Sequence, residues 1–327
     1  MTGPDYQNLI DSQIHSFIRA TDSCYPPEAA SLDIAGQRRV YDIMCAQFRQ
    51  PYPEGIRAQD ETIAGVPCRR YSGSAPSVLY FHGGGFVVGG LHSHDDVCAE
   101  IAAATGLEVI SVDYRLSPEH DHPAAFEDAC AVALALRGPL LLVGDSAGAN
   151  LAAAAAHALR GKAAILGQVL IYPGLGGDRS RGSYQTHAFA PMLTLADVEF
   201  YAGIRGPETR GDASLAPLQD SDFSGLPPTY AVAAECDPLA DDALAYGAAI
   251  MAAGGQAHAE TEGLGVAPAV QLREGQHDLG LSAAAPLHHR DGGTQRLQVF
   301  DGALHVRVAE GGGEALDLQC EFLLVDA

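Results

Sequence analysis

The chain is poor in the features that mark membrane, metal-binding and phosphate-binding proteins. No apolar run is long enough to cross a bilayer. Met1-Thr2-Gly3-Pro4-Asp5 lacks the basic and apolar regions of a secretion signal, so a cytoplasmic protein is expected. Positive charge is scarce: 19 Lys and Arg against 41 Asp and Glu leave a formal net charge of −22. That balance disfavours nucleic acid and anionic membrane surfaces as partners. The 7 cysteines are scattered, odd in number and without Cys-x-x-Cys spacing, the pattern of free thiols in a reducing compartment with no zinc site. No internal repeat interrupts the chain, and 327 residues can bury one large core.

What is present is an alternation of apolar runs and helical stretches. Residues 77–81, 108–113, 139–144, 167–172 and 228–234 read as buried strands, and about 95–104, 123–136, 147–160 and 239–253 as helices. Such alternation predicts an α/β fold, a mostly parallel central sheet with helices on both faces. Residues 1–50 read as amphipathic helix, with Leu9, Ile14, Phe17 and Ile18 at roughly helical spacing. Residues 176–215 break the rhythm, being rich in Gly, Ser and Arg before a helical piece near 194–203.

Two glycine motifs stand at strand ends. Gly144-Asp145-Ser146-Ala147-Gly148 follows the apolar run Pro139-Leu140-Leu141-Leu142-Val143 and precedes an alanine-rich helix. A serine at such a turn holds its hydroxyl clear of the sheet, where it can act as a nucleophile. The flanking glycines are needed because a side chain there collides with the neighbouring strand and helix. His82-Gly83-Gly84-Gly85-Phe86 follows Ser77-Val78-Leu79-Tyr80-Phe81. Three glycines are costly to order, and bare backbone N–H groups facing a developing oxyanion would justify them. The absence of a following Lys-Ser or Lys-Thr argues against a P-loop.

With Tyr114-Arg115-Leu116-Ser117-Pro118-Glu119-His120, Leu226-Pro227-Pro228 and Glu235-Cys236-Asp237-Pro238-Leu239, these motifs make the chain resemble the hormone-sensitive-lipase-like α/β-hydrolases, the bacterial family IV esterases. The likeness runs from about residue 30 to about residue 262. It implies an α/β-hydrolase fold with a helical cap: an N-terminal cap segment at 1–50, a core at 51–175 and 216–280, a second cap segment at 176–215, and an atypical segment at 281–327. It implies a carboxylesterase for short to medium acyl esters, without cofactor; the expected partner is a small ester, no metal is expected because no ligand cluster supports one, and a homodimer is one possible assembly. Phe17 and Tyr41 then either touch substrate or serve only as cap core.

In that family's order the acid and then the histidine follow the serine. Asp237, just past the strand 228–234, is the expected acid; Asp241 and Asp242 are expected on a solvated helix surface, and Glu235 is expected to be structural. The oxyanion donors are expected at Gly84, Gly85 and Ala147. The histidine departs from the family pattern. Glu262-Gly263-Leu264-Gly265 starts the usual motif, but Val266 stands where the histidine belongs. A second strand-like run leads to Glu274-Gly275-Gln276-His277, one residue short of the usual spacing. His277 is the expected base; His258 reads as a sheet residue, and His288 and His289 lie further off. If no histidine reaches Ser146, the alternative is a catalytically silent ligand-binding protein that keeps the pocket. His92-Ser93-His94-Asp95 reads as the run-in and cap of a helix rather than a metal site. His82, His120 and His122 are expected to brace loops, and His157 to be packed or at the surface. After 280, Asp301-Gly302 between two alternating runs reads as a hairpin, as a divergent ending, an added β-element or a shifted reading frame would each produce.

Overall fold

The unbroken apolar run before Ser146 becomes β5 (Leu140–Asp145), buried along its whole length. A run with no polar alternation has no face for solvent, and parallel strands covered by helices on both sides are where such runs settle. A computed structural model describes residues 3–27, 29, 32–206 and 211–262. Within them the other strands are β1 (Ala58–Ile63), β2 (Val66–Tyr71), β3 (Ser74–Phe81), β4 (Leu107–Val112), β6 (Ile165–Ile171), β7 (Thr229–Ala234) and β8 (Ala257–Glu262). The sheet order is β1-β2-β4-β3-β5-β6-β7-β8. Strands β3 to β8 pair in parallel, and β2 runs antiparallel to both of its neighbours.

Side chains alternate between the two faces. Val78, Tyr80, Leu141 and Val143 pack with Val97, Cys98 and Ile101 of α4 (Asp95–Thr105). Leu79, Phe81, Leu140 and Leu142 pack on the other face with α5 (Ala124–Ala135), α6 (Ala147–Leu159) and α9 (Ala240–Ala252). The mostly parallel sheet with helices on both faces is the architecture expected. Helix α6 has all but one of its residues buried, and its alanines let it lie close against the sheet that carries Ser146.

Helices α1 (Tyr6–Leu9), α2 (Ser12–Asp22) and α3 (Ile34–Phe48) precede the sheet, and α7 (Ser183–Thr186) and α8 (Leu195–Arg205) follow β6. Asp11 caps α2 by accepting from the N–H groups of Gln13 and Ile14. Thr194 and Asp197 form a reciprocal capping box on α8. Tyr41, Met44 and Cys45 of α3 cluster with Val87 and Val88 of the loop after β3, and Tyr201 and Ile204 of α8 pack against them. These two helices therefore lie over the carboxyl end of β3.

The β1–β2 hairpin carries no turn signal in the sequence. Its turn, Ala64–Gly65, has both residues at positive φ (51° and 85°), the mirror-image turn that matches sheet twist. An alanine in that position hides the usual Asn-Gly or Asp-Gly signal. His277 and the expected hairpin around Asp301-Gly302 lie outside the described residues.

Candidate active site

Ser146 sits between β5 and α6 with φ 53° and ψ −116°. A non-glycine residue in this region carries on the order of 1–3 kcal/mol of strain and persists only where its surroundings force it. They do. The Ser146 N–H donates to Ile171 O at 2.8 Å, and its carbonyl accepts from Asn150 N at 3.1 Å. A Cβ on Gly144 would strike the backbone of Gly148, and a Cβ on Gly148 would strike the carbonyl of Phe81. The two glycines thus let helix and strands close around the serine, as expected from their spacing.

The loop after β3 is fixed on its sheet side and by bonds within itself. Gly83 N donates to Asp145 Oδ1 at 3.0 Å, while Val87 N and Val88 N both donate to Gly84 O at 3.0 Å. Gly84 and Gly85 have φ 116° and 60°, a path that glycine follows without Cβ strain. Among the described residues neither of their N–H groups has an acceptor. Ala147 opens α6, where backbone N–H groups have no intrahelical partner. His82 braces the loop as expected: Nδ1 lies 2.7 Å from Gly83 O, and the ring stacks on Tyr114 at 4.3 Å. Burial, then the neighbouring His94, lowers the His82 pKa to about 3, so the ring is neutral.

Beneath the serine, Asp145 is fully engaged. It accepts from Tyr80 Oη at 2.8 Å and from Gly83 N at 3.0 Å, and His94 Nε2 stands 3.4 Å from Oδ2. Burial pushes this carboxyl up, but His94, Tyr80 and His82 outweigh burial and hold it below its ordinary range. His94 is therefore more than a helix cap. The segment around it diverges: His92 pairs with Asp42 at the surface, and Asp95 accepts from Tyr52, Tyr71 and Arg69.

Asp237 follows β7 and is buried at 1% exposure. Its Oδ1 accepts from Leu239 N at 2.8 Å, whereas Oδ2 has no donor among the described residues. Burial raises this carboxyl to about 7; the Leu239 N–H works against the rise, and the nearby Asp242 adds to it. Asp242 corrects an expectation. Instead of lying on a solvated surface it is buried, and its Oδ2 accepts from Leu175 N (2.7 Å), Tyr184 Oη (2.9 Å) and Gly177 N (3.2 Å). Asp241 is exposed, as expected, though it accepts from Ser183 N at 2.9 Å. A carboxylate in the first turn of a helix reads as solvated until the segment 175–184 folds over it. Glu235 is exposed.

Ser146, Ala147, Gly84, Gly85 and Asp237 line one cavity of about 1250 Å³. Tyr41 lines it too, whereas Phe17 packs on Phe48 instead. No histidine among the described residues lines this cavity. His258 lies on β8, stacked on Tyr230 and 3.2 Å from Glu260. His157 is held between Asp220 (2.6 Å) and Tyr246 (3.0 Å), and His122 bonds to Ser214 at 3.0 Å. Among the described residues no group of His, Cys, Asp and Glu is arranged to hold a metal, and no helix is long and apolar enough to cross a membrane.

Comparison with known proteins agrees with this geometry. The family described as alpha/beta hydrolase fold matches residues 78–265. Esterase LipI of Mycobacterium tuberculosis is 38% identical over 236 residues, which cover 63% of this chain and 72% of LipI. Carboxylesterase NlhH of the same organism is 35% identical over 227 residues, covering 61% and 71%. Among solved structures, the ester-hydrolase EH1AB1 from the metagenome of Lake Arreo superposes with a TM-score of 0.69 at 29% identity, over 77% of this chain and 89% of that one.

Proposed function

Because the chain belongs to the α/β-hydrolase family, in its hormone-sensitive-lipase-like branch of esterases, we propose that it hydrolyses carboxylic esters through an acyl-enzyme on Ser146. One observation carries the proposal: a strained serine, two glycine N–H groups and a buried carboxylate converge on one cavity, and among the described residues the N–H groups have no acceptor and one carboxylate oxygen has no donor.

In this mechanism Ser146 Oγ attacks the ester carbonyl and gives its proton to His277. The oxyanion of the tetrahedral intermediate accepts from the N–H groups of Gly84, Gly85 and Ala147. His277 returns the proton to the leaving alcohol, and water repeats the sequence on the acyl group. Asp237 fixes the imidazole tautomer and stabilises the imidazolium. Alone, its carboxyl is held near 7 by burial, so it is poised to favour a cationic N–H donor beside Oδ2.

The substrates are esters of short to medium acyl chains, with no cofactor. Helices α1–α3 and the segment 176–215 act as two cap segments over the core. The six described cysteines are free thiols, which suits a cytoplasmic protein, and a homodimer is the proposed assembly.

The test is hydrolysis of p-nitrophenyl butyrate, with covalent labelling by a fluorophosphonate. Wild type should turn over the ester and take up the label; Ser146→Ala should do neither, and His277→Ala should lose at least a thousandfold in kcat. Retained turnover in Ser146→Ala would refute the assignment. Ligand binding without labelling of wild type would point to the silent pocket instead.

A further inference from the structure

The oxyanion loop carries an arrangement that the esterase mechanism does not by itself require. Gly84, Gly85 and Phe86 have φ 116°, 60° and 64° in succession. Two of these residues are glycines, each of which loses more freedom on ordering than any other residue. The third is a phenylalanine in the left-handed region, which its surroundings must enforce. From the sheet side the loop is held by Asp145, which accepts from Gly83 N, and by Ser117 N, which donates to Phe86 O at 2.8 Å.

From the cavity side it is held by α8. A Cβ placed on Gly85 would stand 2.5 Å from Cγ of Tyr201 and 2.7 Å from its Cδ1, so the tyrosine ring is seated directly on the glycine. One helical turn later, the Arg205 guanidinium carbon lies 3.6 Å from the centroid of the Phe86 ring. The same guanidinium donates to Asn150 Oδ1 at 3.2 Å and to Leu215 O at 3.0 Å. Asn150 is on α6, and its N–H donates to the Ser146 carbonyl. Arg205 therefore touches both the loop with the N–H donors and the helix that starts at the nucleophile. Tyr201 and Arg205 are four residues apart and share one helix face.

We propose that Tyr201 and Arg205 are positioning residues of the oxyanion site: from α8 they clamp Gly85 and Phe86, fixing the Gly84 and Gly85 N–H groups relative to Ser146. The role rests on the esterase function proposed above. It differs from that of a wall for the acyl chain, because the contacts are to the oxyanion loop. A loosened loop weakens stabilisation of the transition state for every acyl chain alike; a lost pocket wall changes which chain is preferred.

The experiment is steady-state kinetics of full-length Tyr201→Ala, Tyr201→Phe, Arg205→Lys and Arg205→Met on p-nitrophenyl acetate, butyrate and hexanoate. Each kcat is normalised to the sites that fluorophosphonate labels at completion, so misfolded protein is not counted. Tyr201→Ala should lose roughly tenfold to a hundredfold in kcat, equally on all three esters, with KM changed by less than about threefold. Its labelling rate should fall in parallel. Tyr201→Phe should match wild type, because the ring makes the contact. Arg205→Lys and Arg205→Met, which lose the planar stack on Phe86, should both show the uniform kcat loss. Wild-type kcat on acetate in Tyr201→Ala, with only the acyl preference altered, would overturn the positioning role while leaving the esterase proposal standing. Turnover that survives Ser146→Ala defeats the esterase proposal, and this one falls with it.

Discussion

Asp145 and Asp237 are both buried carboxylates at carboxyl ends of neighbouring parts of one sheet, yet their settings are opposite. Asp145 has Tyr80, Gly83 and His94 around it, and its carboxyl lies below the ordinary range despite burial. Among the described residues Asp237 has one backbone donor, a second carboxylate nearby and an oxygen without a donor, and its carboxyl rises to about 7. A carboxylate whose partners are complete belongs to the scaffold: it anchors Gly83 and so the start of the glycine loop after β3. A carboxylate left half-paired in a buried loop can receive a donor, the setting that the proposed role of Asp237 requires.

The contrast breaks most sharply by neutralising each acid in turn. Asp237→Asn keeps the side chain's volume and removes the charge that favours an imidazolium. We expect kcat for p-nitrophenyl butyrate to drop by about 10³–10⁴ with the melting temperature nearly unchanged. A loss below tenfold would mean that another carboxylate orients the base.

How much of this contrast was legible in the sequence differs between the two sites. The turn at Ser146 could be read because strand, glycines, serine and helix are contiguous, and each enforces the others over a few residues. The five apolar runs were legible for the same reason, since buried parallel strands have no polar face. The hairpin Ala58–Tyr71 was not, because β1 is an exposed edge reading Gln59-Asp60-Glu61-Thr62, and its order comes from pairing with β2. Asp237 was placed by its motif and its position just past a strand, but nothing local shows that Asp242, on the following helix, is buried as well. Only the folding of residues 175–184 onto α9 buries the latter. The contacts of Tyr201 and Arg205 span more than a hundred residues from Gly85 and Phe86, beyond any periodicity.

Asp145→Asn should act on stability before catalysis. It sets an amide against a donor-rich cluster, and we expect roughly 2–4 kcal/mol less unfolding free energy in urea at pH 7. The pH signs of the two acids are opposed. Asp145 is held below 3.8, so the unfolded chain takes up its proton first as pH falls. Its contribution is whole above that value and is lost as pH drops through the folded-state pKa. Asp237, raised to about 7, keeps in the folded state a proton that the unfolded chain releases near 4. In His277→Ala, where no imidazole offsets this, stability should therefore fall as pH rises from 4 through 7. Asp237→Asn in that background should flatten the decline. A decline unchanged by that substitution would assign the titration to another group.

The smallest expected effect separates the sheet histidine from the proposed triad. His258 sits on β8, largely exposed, stacked on Tyr230 and within 3.2 Å of Glu260. Its strand register places it opposite Tyr230 near the start of β7, four residues before the end of that strand and seven before Asp237. Exposed surface contacts of this kind contribute a few tenths of a kcal/mol. His258→Ala should therefore keep kcat within twofold and shift unfolding free energy by less than about 1 kcal/mol. A loss comparable to that of Asp237→Asn would make His258 the partner of that acid. It would also require the edge of the sheet to move toward the cavity, since the ring now stacks on a strand residue outside the cavity lining.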